Sequence, residues 1–200
     1  MLTHANRIYL LDAEIRTEDS FISQRPSVPH IHHADVWMVI RVQTLRWSPT
    51  IYTRVLKDLA RWYEAGNRMA GIQIDFDART RHLEDYAAFL KDLRRSLPSG
   101  CQLSITGLLD WSANGDPRGL DALAGVVDEV VLQIYQGKRV IAGYETYLAR
   151  LDRLKIPFRI GLLQYGEWHE PAKLATNPWF RGYVVFLQNP EAAETDAAGQ

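Results

Sequence analysis

Cys101 is the only cysteine among 200 residues, so no disulfide can form within the chain. This fits a reducing compartment. Neither sign of charge dominates: 23 Lys and Arg face 24 Asp and Glu, for a net charge of −1. The basic residues are scattered, which leaves no nucleic-acid footprint. No apolar run approaches the ~20 residues needed to span a bilayer. The first seven residues lack the basic-then-apolar order of an export signal. The expectation is a soluble chain, cytoplasmic as it stands and exported if a signal lies upstream. No glycine-rich loop follows the first apolar run, which speaks against a dinucleotide-binding fold. No serine occupies a nucleophile-elbow setting. His30, His32 and His33 have ligand chemistry but precede a strand-like run. Zinc needs three or four converging ligands, so neither metal nor cofactor is expected.

Short β-branched or apolar runs recur along the chain, at 8–11, 36–42, 71–76, 102–108, 130–135, 158–163 and 183–187. Helical periodicity fills several of the intervals. At 48–65, Ser48 reads as N-cap and Pro49 as the first turn. At 80–97, Leu83, Tyr86, Leu90, Leu93 and Leu97 share one face. A third helix is predicted over 144–154, and a short, weak one over 119–127. Strands alternating with helices imply parallel pairing through right-handed crossovers. The fold class is therefore α/β, a (β/α) TIM-type barrel. Seven strands are visible where a closed barrel has eight. The expectation is one barrel domain over 1–190, incomplete at its N-terminus, with the 8–11 strand at an edge. Such an edge tends to be covered or to associate, so self-association through it is expected. Residues 17–34 read as a long connection and 191–200 as a frayed tail.

The segment Gly71-Ile72-Gln73-Ile74-Asp75-Phe76-Asp77 alternates polar with apolar residues. As a strand it puts Gln73, Asp75 and Asp77 on one face. Carboxylates on a mostly buried strand are costly unless partnered. Crowded at a strand end, they can supply a general acid and a group that tunes it. A plainer reading makes Asp77 a turn or N-cap residue before the next helix, but it leaves Asp75 unexplained.

Barrels carry their chemistry at the C-terminal ends of the strands. Those ends bear Glu14, then Arg41, then Asp75 and Asp77, then Asp110 and Trp111, then Gln133 and Tyr135, then Gln164, Glu167 and Trp168. Amides, aromatics and carboxylates suit a neutral, hydroxyl-rich ligand, whereas phosphate would call for more Arg and Lys. Trp111 or Trp168 is expected to stack on a ring. The candidate binding set is therefore Glu14, Arg41, Gln73, Asp110, Trp111, Gln133, Gln164, Glu167 and Trp168.

Residues 71–77 resemble the strand signature of family 18 glycoside hydrolases, in which alternating Asp residues end in Glu. Val131-Leu132-Gln133-Ile134-Tyr135-Gln136 is similar to that family's Met-x-Tyr-Asp strand. The chain as a whole looks closest to a bacterial family, domain-of-unknown-function family 3142. Its members carry a similar Gln-Ile-Asp-x-Asp strand, a Leu-Ser-Ile-Thr-x-Leu strand ending in Trp, and a Gln-x-Tyr strand. These correspond to residues 73–77, to 103–108 with Trp111, and to 133–135. The resemblance implies a carbohydrate ligand and glycosidic hydrolysis. It implies Asp77 as acid, Asp75 as its supporting carboxylate, and Tyr135 as the group that steadies the intermediate. Asp77 stands where the family has Glu, Gln73 and Gln136 where it has Asp, and Phe186 where it has a terminal Trp. A different sugar, a two-carboxylate mechanism, a non-catalytic carbohydrate-binding barrel and a protein-binding scaffold therefore stay open.

Overall fold

The computed structural model describes residues 5–77, 83–111, 115–151 and 154–188. The predicted helix start at 80 and the tail 191–200 lie outside the described residues.

In chain order the elements are β1 (Arg7–Ile15), β2 (Phe21–Ser23), β3 (Asp35–Val42), α1 (Pro49–Glu64), β4 (Met69–Asp75), α2 (Leu83–Ser96), β5 (Gln102–Leu108), α3 (Pro117–Ala124), β6 (Glu129–Gln133), β7 (Tyr135–Gln136), β8 (Arg139–Val140), α4 (Tyr144–Leu148), β9 (Phe158–Leu163) and β10 (Phe180–Phe186). The seven expected runs are all strands of one sheet, ordered β10-β9-β6-β5-β4-β3-β1-β2. Every pairing in that sheet is parallel except β1 with β2. The sheet is not closed, since among the described residues no pairing joins β10 to β1 or β2.

The period-two pattern sorts the side chains. Val36, Met38, Ile40, Ile72, Ile74, Leu103, Ile105, Val130 and Leu132 are all buried and point to one face. Helix α1 presents Ile51, Val55, Leu59 and Trp62 to them, and α2 presents Tyr86, Leu90 and Leu93. Each such side chain, fully buried, contributes about 1.5–3 kcal/mol.

Two local expectations need correction. Ser48 has N-cap backbone angles, but its side chain makes no cap hydrogen bond and its hydroxyl is buried without a partner. The Ile51 amide donates to the Ser48 carbonyl at 3.0 Å instead. The helix expected over 144–154 runs only from Tyr144 to Leu148. Gly143, in a left-handed conformation, precedes it without a side-chain cap. Leu151 and Leu154 are buried all the same, past the end of the α-helix.

The β2 strand has no counterpart in the sequence reading, because three residues carry no period. It covers part of the β1 edge, pairing Phe21 with Ile15 and Ser23 with Ala13. The Gln24 amide donates to the Asp12 carbonyl at 2.7 Å, and the Arg25 Nε donates to the Leu11 carbonyl at 2.9 Å. A bulge in β1 between Leu11 and Ala13 frees Asp12 from the strand's alternation. Asp12 is 1% exposed, and its Oδ1 accepts from the Trp62 Nε1 at 2.8 Å.

The opposite, concave face of the sheet carries polar residues in layers. At the N-terminal end Glu129 of β6 accepts from Arg7 at 3.1 Å, from the Tyr9 hydroxyl at 2.7 Å and from the Arg159 Nε at 2.8 Å. Three strands separate β1 from β6 in the sheet. Their side chains meet only because the sheet is curled into most of a barrel. Higher up, the Gln73 Nε2 donates to the Ser104 Oγ at 3.0 Å.

Glu129→Ala leaves two guanidinium groups without their shared carboxylate. It is expected to cost about 3 kcal/mol, read from urea denaturation, with Glu129→Gln costing less. Asp12 supplies a second test. Burial, first, and the Asp58 charge raise its pKa, against the Trp62 hydrogen bond. A carboxyl whose folded pKa is raised loses stability as pH climbs from the unfolded value through the folded one. Asp12→Asn keeps an acceptor for Trp62 and removes the charge. It is expected to be more stable than wild type at pH 7, with the gap narrowing toward pH 3 in thermal melts.

Candidate functional site

The curl gathers the C-terminal strand ends around a cleft of about 1010 Å³. Its floor is set by register. Glu14 pairs with Arg41 across β1 and β3, and Arg41 with Asp75 across β3 and β4. The Arg41 Nε donates to the Asp75 Oδ2 at 2.9 Å, and the Thr106 hydroxyl to the Asp75 Oδ1 at 2.9 Å. Both Asp75 oxygens are thus partnered. The same Thr106 oxygen accepts from the Phe76 amide at 3.2 Å, which ties the end of β4 to β5. Asp77 is exposed at the cleft wall, two residues beyond Asp75.

Gln133, Tyr135, Gln136, Tyr147 and Phe186 form the far wall. Tyr135 and Phe186 pack with ring centroids 5.1 Å apart. A Cβ added to Gly161 would come within 3.0 Å of the Phe186 ring, so glycine is what lets that ring lie over the interior. Burial pushes the Tyr135 hydroxyl far above its ordinary range, and Asp75 and Asp77 add to this against Arg41 and the Gln133 hydrogen bond. Tyr135 therefore stays a neutral O–H donor.

The carboxyl groups divide by environment. Glu14 accepts from Arg16 at 2.9 Å and from Gln43 at 3.0 Å. The Arg16 hydrogen bond, with Gln43 and Arg41 behind it, holds Glu14 below the usual carboxylate range despite desolvation. Asp110 goes the other way. Burial raises it, only partly offset by its own backbone N–H, and its Oδ1 is buried without a hydrogen-bond partner. Arg41 loses solvation, yet Asp75, Glu14 and Asp77 together keep it above its ordinary value.

Of the sequence-predicted residues, Glu14, Arg41, Asp75, Asp77, Asp110, Gln133 and Tyr135 share this cleft. Five do not line it. Gln73 is 2% exposed and lies a layer below, bound to Ser104. Trp111 is 1% exposed and packs on the helix-facing side beside Gly107, so it cannot stack on a ligand. Trp168 stacks on Tyr144 at 5.4 Å and meets Tyr183 edge-on at 5.5 Å. Gln164 and Glu167 line a separate hollow of about 320 Å³. The Gln164 Oε1 accepts from the Gln188 amide at 2.9 Å, tying the ends of β9 and β10. Gln43, Phe76, Gln136, Tyr147 and Phe186 line the cleft without having been singled out. For Gln43, Gln136 and Phe186, position at a strand end was the available signal. No group of three or more potential metal ligands occurs among the described residues. No helix among them is long and apolar enough to cross a membrane.

The architecture defines an open (β/α) TIM-type barrel with a carboxylate-rich cleft at its C-terminal end. The chain belongs to the family described as domain of unknown function (DUF3142), which matches residues 35–167. Among solved structures it is similar to the spore cortex-lytic enzyme SleL of Bacillus cereus, at 20% identity and a TM-score of 0.52 over 78% of this chain and 43% of that one. It is also similar to the chitinase domain of the spore coat protein CotE from Clostridium difficile, at 14% identity and a TM-score of 0.50 over 78% of this chain and 59% of that one. At these identities the likeness is one of fold. The chain spans less than two thirds of either structure. No curated protein matches it.

Carboxyl-carbon NMR titration should find Glu14 below and Asp110 above the ordinary carboxylate range. Arg16→Ala should move Glu14 upward and leave Asp110 in place.

Proposed function

We propose that the cleft binds a carbohydrate and hydrolyses a glycosidic bond in it. The observation that carries this reading is the convergence of Asp75, Asp77, Gln133 and Tyr135 on one open cleft at the strand ends. Asp77 is the general acid, exposed where a leaving oxygen can reach it. Asp75, locked by Arg41 and Thr106, positions the end of β4 and sets the local field. Tyr135 donates its hydroxyl hydrogen to the ligand, and Gln133 and Gln136 meet sugar hydroxyls. Phe186 and Tyr147 supply the apolar wall that Trp111 and Trp168 do not. Four carboxylates against the single cation Arg41 line the cleft among the described residues, so neutral or cationic glycans are favoured over acidic ones.

A second reading, a carbohydrate-binding barrel without turnover, draws on the same locked Asp75. Its charge is already matched by Arg41, which weakens the like-charge push on Asp77 that an acid would use. A protein-binding scaffold fits less well, because carboxylates, an arginine and amides line this cleft where such a scaffold would offer an apolar patch.

Wild type and Asp77→Asn should be compared on a glycan panel, with reducing-end release and binding followed separately. Cleavage should fall by about 100-fold or more while binding stays within twofold. Binding with no cleavage by wild type would select the second reading. Cleavage untouched by Asp77→Asn would remove Asp77 from the mechanism.

A further inference from the structure

Asp75 cannot be the partner carboxylate that a two-carboxylate hydrolysis needs. Both its oxygens are committed to Arg41 and Thr106. Glu14 is similarly committed, to Arg16 and Gln43. Glu167 lines the other hollow. This leaves one cleft carboxylate to account for. Asp110 follows the end of β5, the strand next to β4, and lines the same cleft as Asp77. Its Oδ1 is buried with no hydrogen-bond partner among the described residues, an acceptor with its capacity unspent.

We propose that Asp110 is the general base of the cleft, activating a water against the anomeric carbon while Asp77 protonates the leaving oxygen. This rests on the hydrolase reading above. In the step, the bond from the anomeric carbon to the leaving oxygen breaks, and its electron pair goes to that oxygen, which takes the proton of Asp77. The water oxygen bonds to the anomeric carbon from the opposite face of the sugar, and one of its protons passes to Asp110. Solvent then returns a proton to Asp77 and removes one from Asp110.

Three features support the assignment. Asp77 follows the end of β4 and Asp110 the end of β5, so the two carboxyls enter one cleft from neighbouring strands rather than from a single one. The raised proton affinity that burial gives Asp110 makes it a stronger base than an ordinary carboxylate. The groups that face the cleft with it are Glu14, Arg41, Asp75, Asp77, Tyr135 and Tyr147. Among the carboxylates of that set, Glu14 is held low and Asp110 high, the split expected when one group must hold charge and another must exchange a proton.

The test uses tetra- to hexasaccharides of β-1,4-linked glucose, glucosamine and N-acetylglucosamine. Proton NMR reads the anomer formed first, and kcat and KM are measured against pH for wild type, Asp110→Asn and Asp110→Glu. Thermal melts check that each variant folds. Inverted product is expected from wild type. Asp110→Asn should lose at least 100-fold in kcat with KM within threefold. In Asp110→Glu the acid limb of the pH profile should move while the basic limb stays. Retained configuration, or full activity in Asp110→Asn, would overturn the role of Asp110 and leave the hydrolase reading standing. A wild type that binds these sugars and cleaves none would overturn both. Should Asp110→Asn fail to fold, the anomeric outcome of wild type and the Asp110→Glu profile still decide.

Discussion

The carboxylate of Glu129 is the fastening on which the rest of the concave face depends. A parallel sheet without full closure has two edges, and twist alone does not fix how far it curls. Glu129 sits on a middle strand and receives Arg7 and Tyr9 from the strand four places away, with Arg159 from its neighbour. A buried carboxylate must be paired, and Arg7 and Tyr9 can reach it only when the sheet is rolled. The Tyr9 ring also stacks on Trp37 at 5.7 Å, adding apolar contact to the same layer. Burial beside Glu129 pushes the Tyr9 hydroxyl well above its usual range, so it remains a donor. The roll fixed at this end is what brings Glu14 and Phe186, from opposite sides of the sheet, to one cleft at the other.

Going up the interior, polarity is arranged in steps. The lowest layer is an ion cluster, and the middle holds the neutral Gln73–Ser104 pair. The top carries the Arg41–Asp75 pair and opens to solvent. The neutral middle layer keeps the structural charges apart from the cleft charges. The Glu129 cluster therefore holds the curl without sharing protons with the cleft. Arg41 does the converse. Seated between Glu14 and Asp75 in register, it binds the strand ends together and shapes the field around Asp77, Asp110 and Tyr135.

The strand and helix order was legible because its signals are local: period-two runs, a Pro-led helix start, a Leu stripe. The face on which Gln73 and Asp75 lie was legible for the same reason, whereas β4 ends at Asp75 and Asp77 lies past it. Height within the barrel was not legible. Gln73 shares the parity of Asp75, yet one layer of depth turns a cleft residue into a sealed one. Direction after a strand end was not legible either. Asp110 turns toward the cleft, while Trp111, the very next residue, turns outward to fill the space above Gly107. Trp168 leaves the barrel mouth because Tyr144 and Tyr183 offer it more apolar contact than the cleft would. Such choices are decided by packing partners distant in sequence, which no window of one strand contains.

The aromatic side of the cleft follows from the same competition. Large indole rings are drawn to where most of their surface can be buried, and here that is the helix layer, the lowest interior layer where Trp37 stacks on Tyr9, and the β9–β10 flank. The cleft is left with Tyr135, Tyr147 and Phe186, whose smaller rings stand among amides and carboxylates. A ligand meeting this surface gains limited apolar contact and many polar ones. Its fit then depends on matching hydrogen bonds rather than on broad stacking. Because buried polar groups left unpaired are costly, a cleft of this kind rejects ligands that lack the right hydroxyls more strongly than it rejects those with extra carbon. Under the carbohydrate reading proposed above, selectivity sits in Gln133, Gln136 and Tyr135, and the fate of a bound ligand rests with the carboxylates around Asp77 and Asp110.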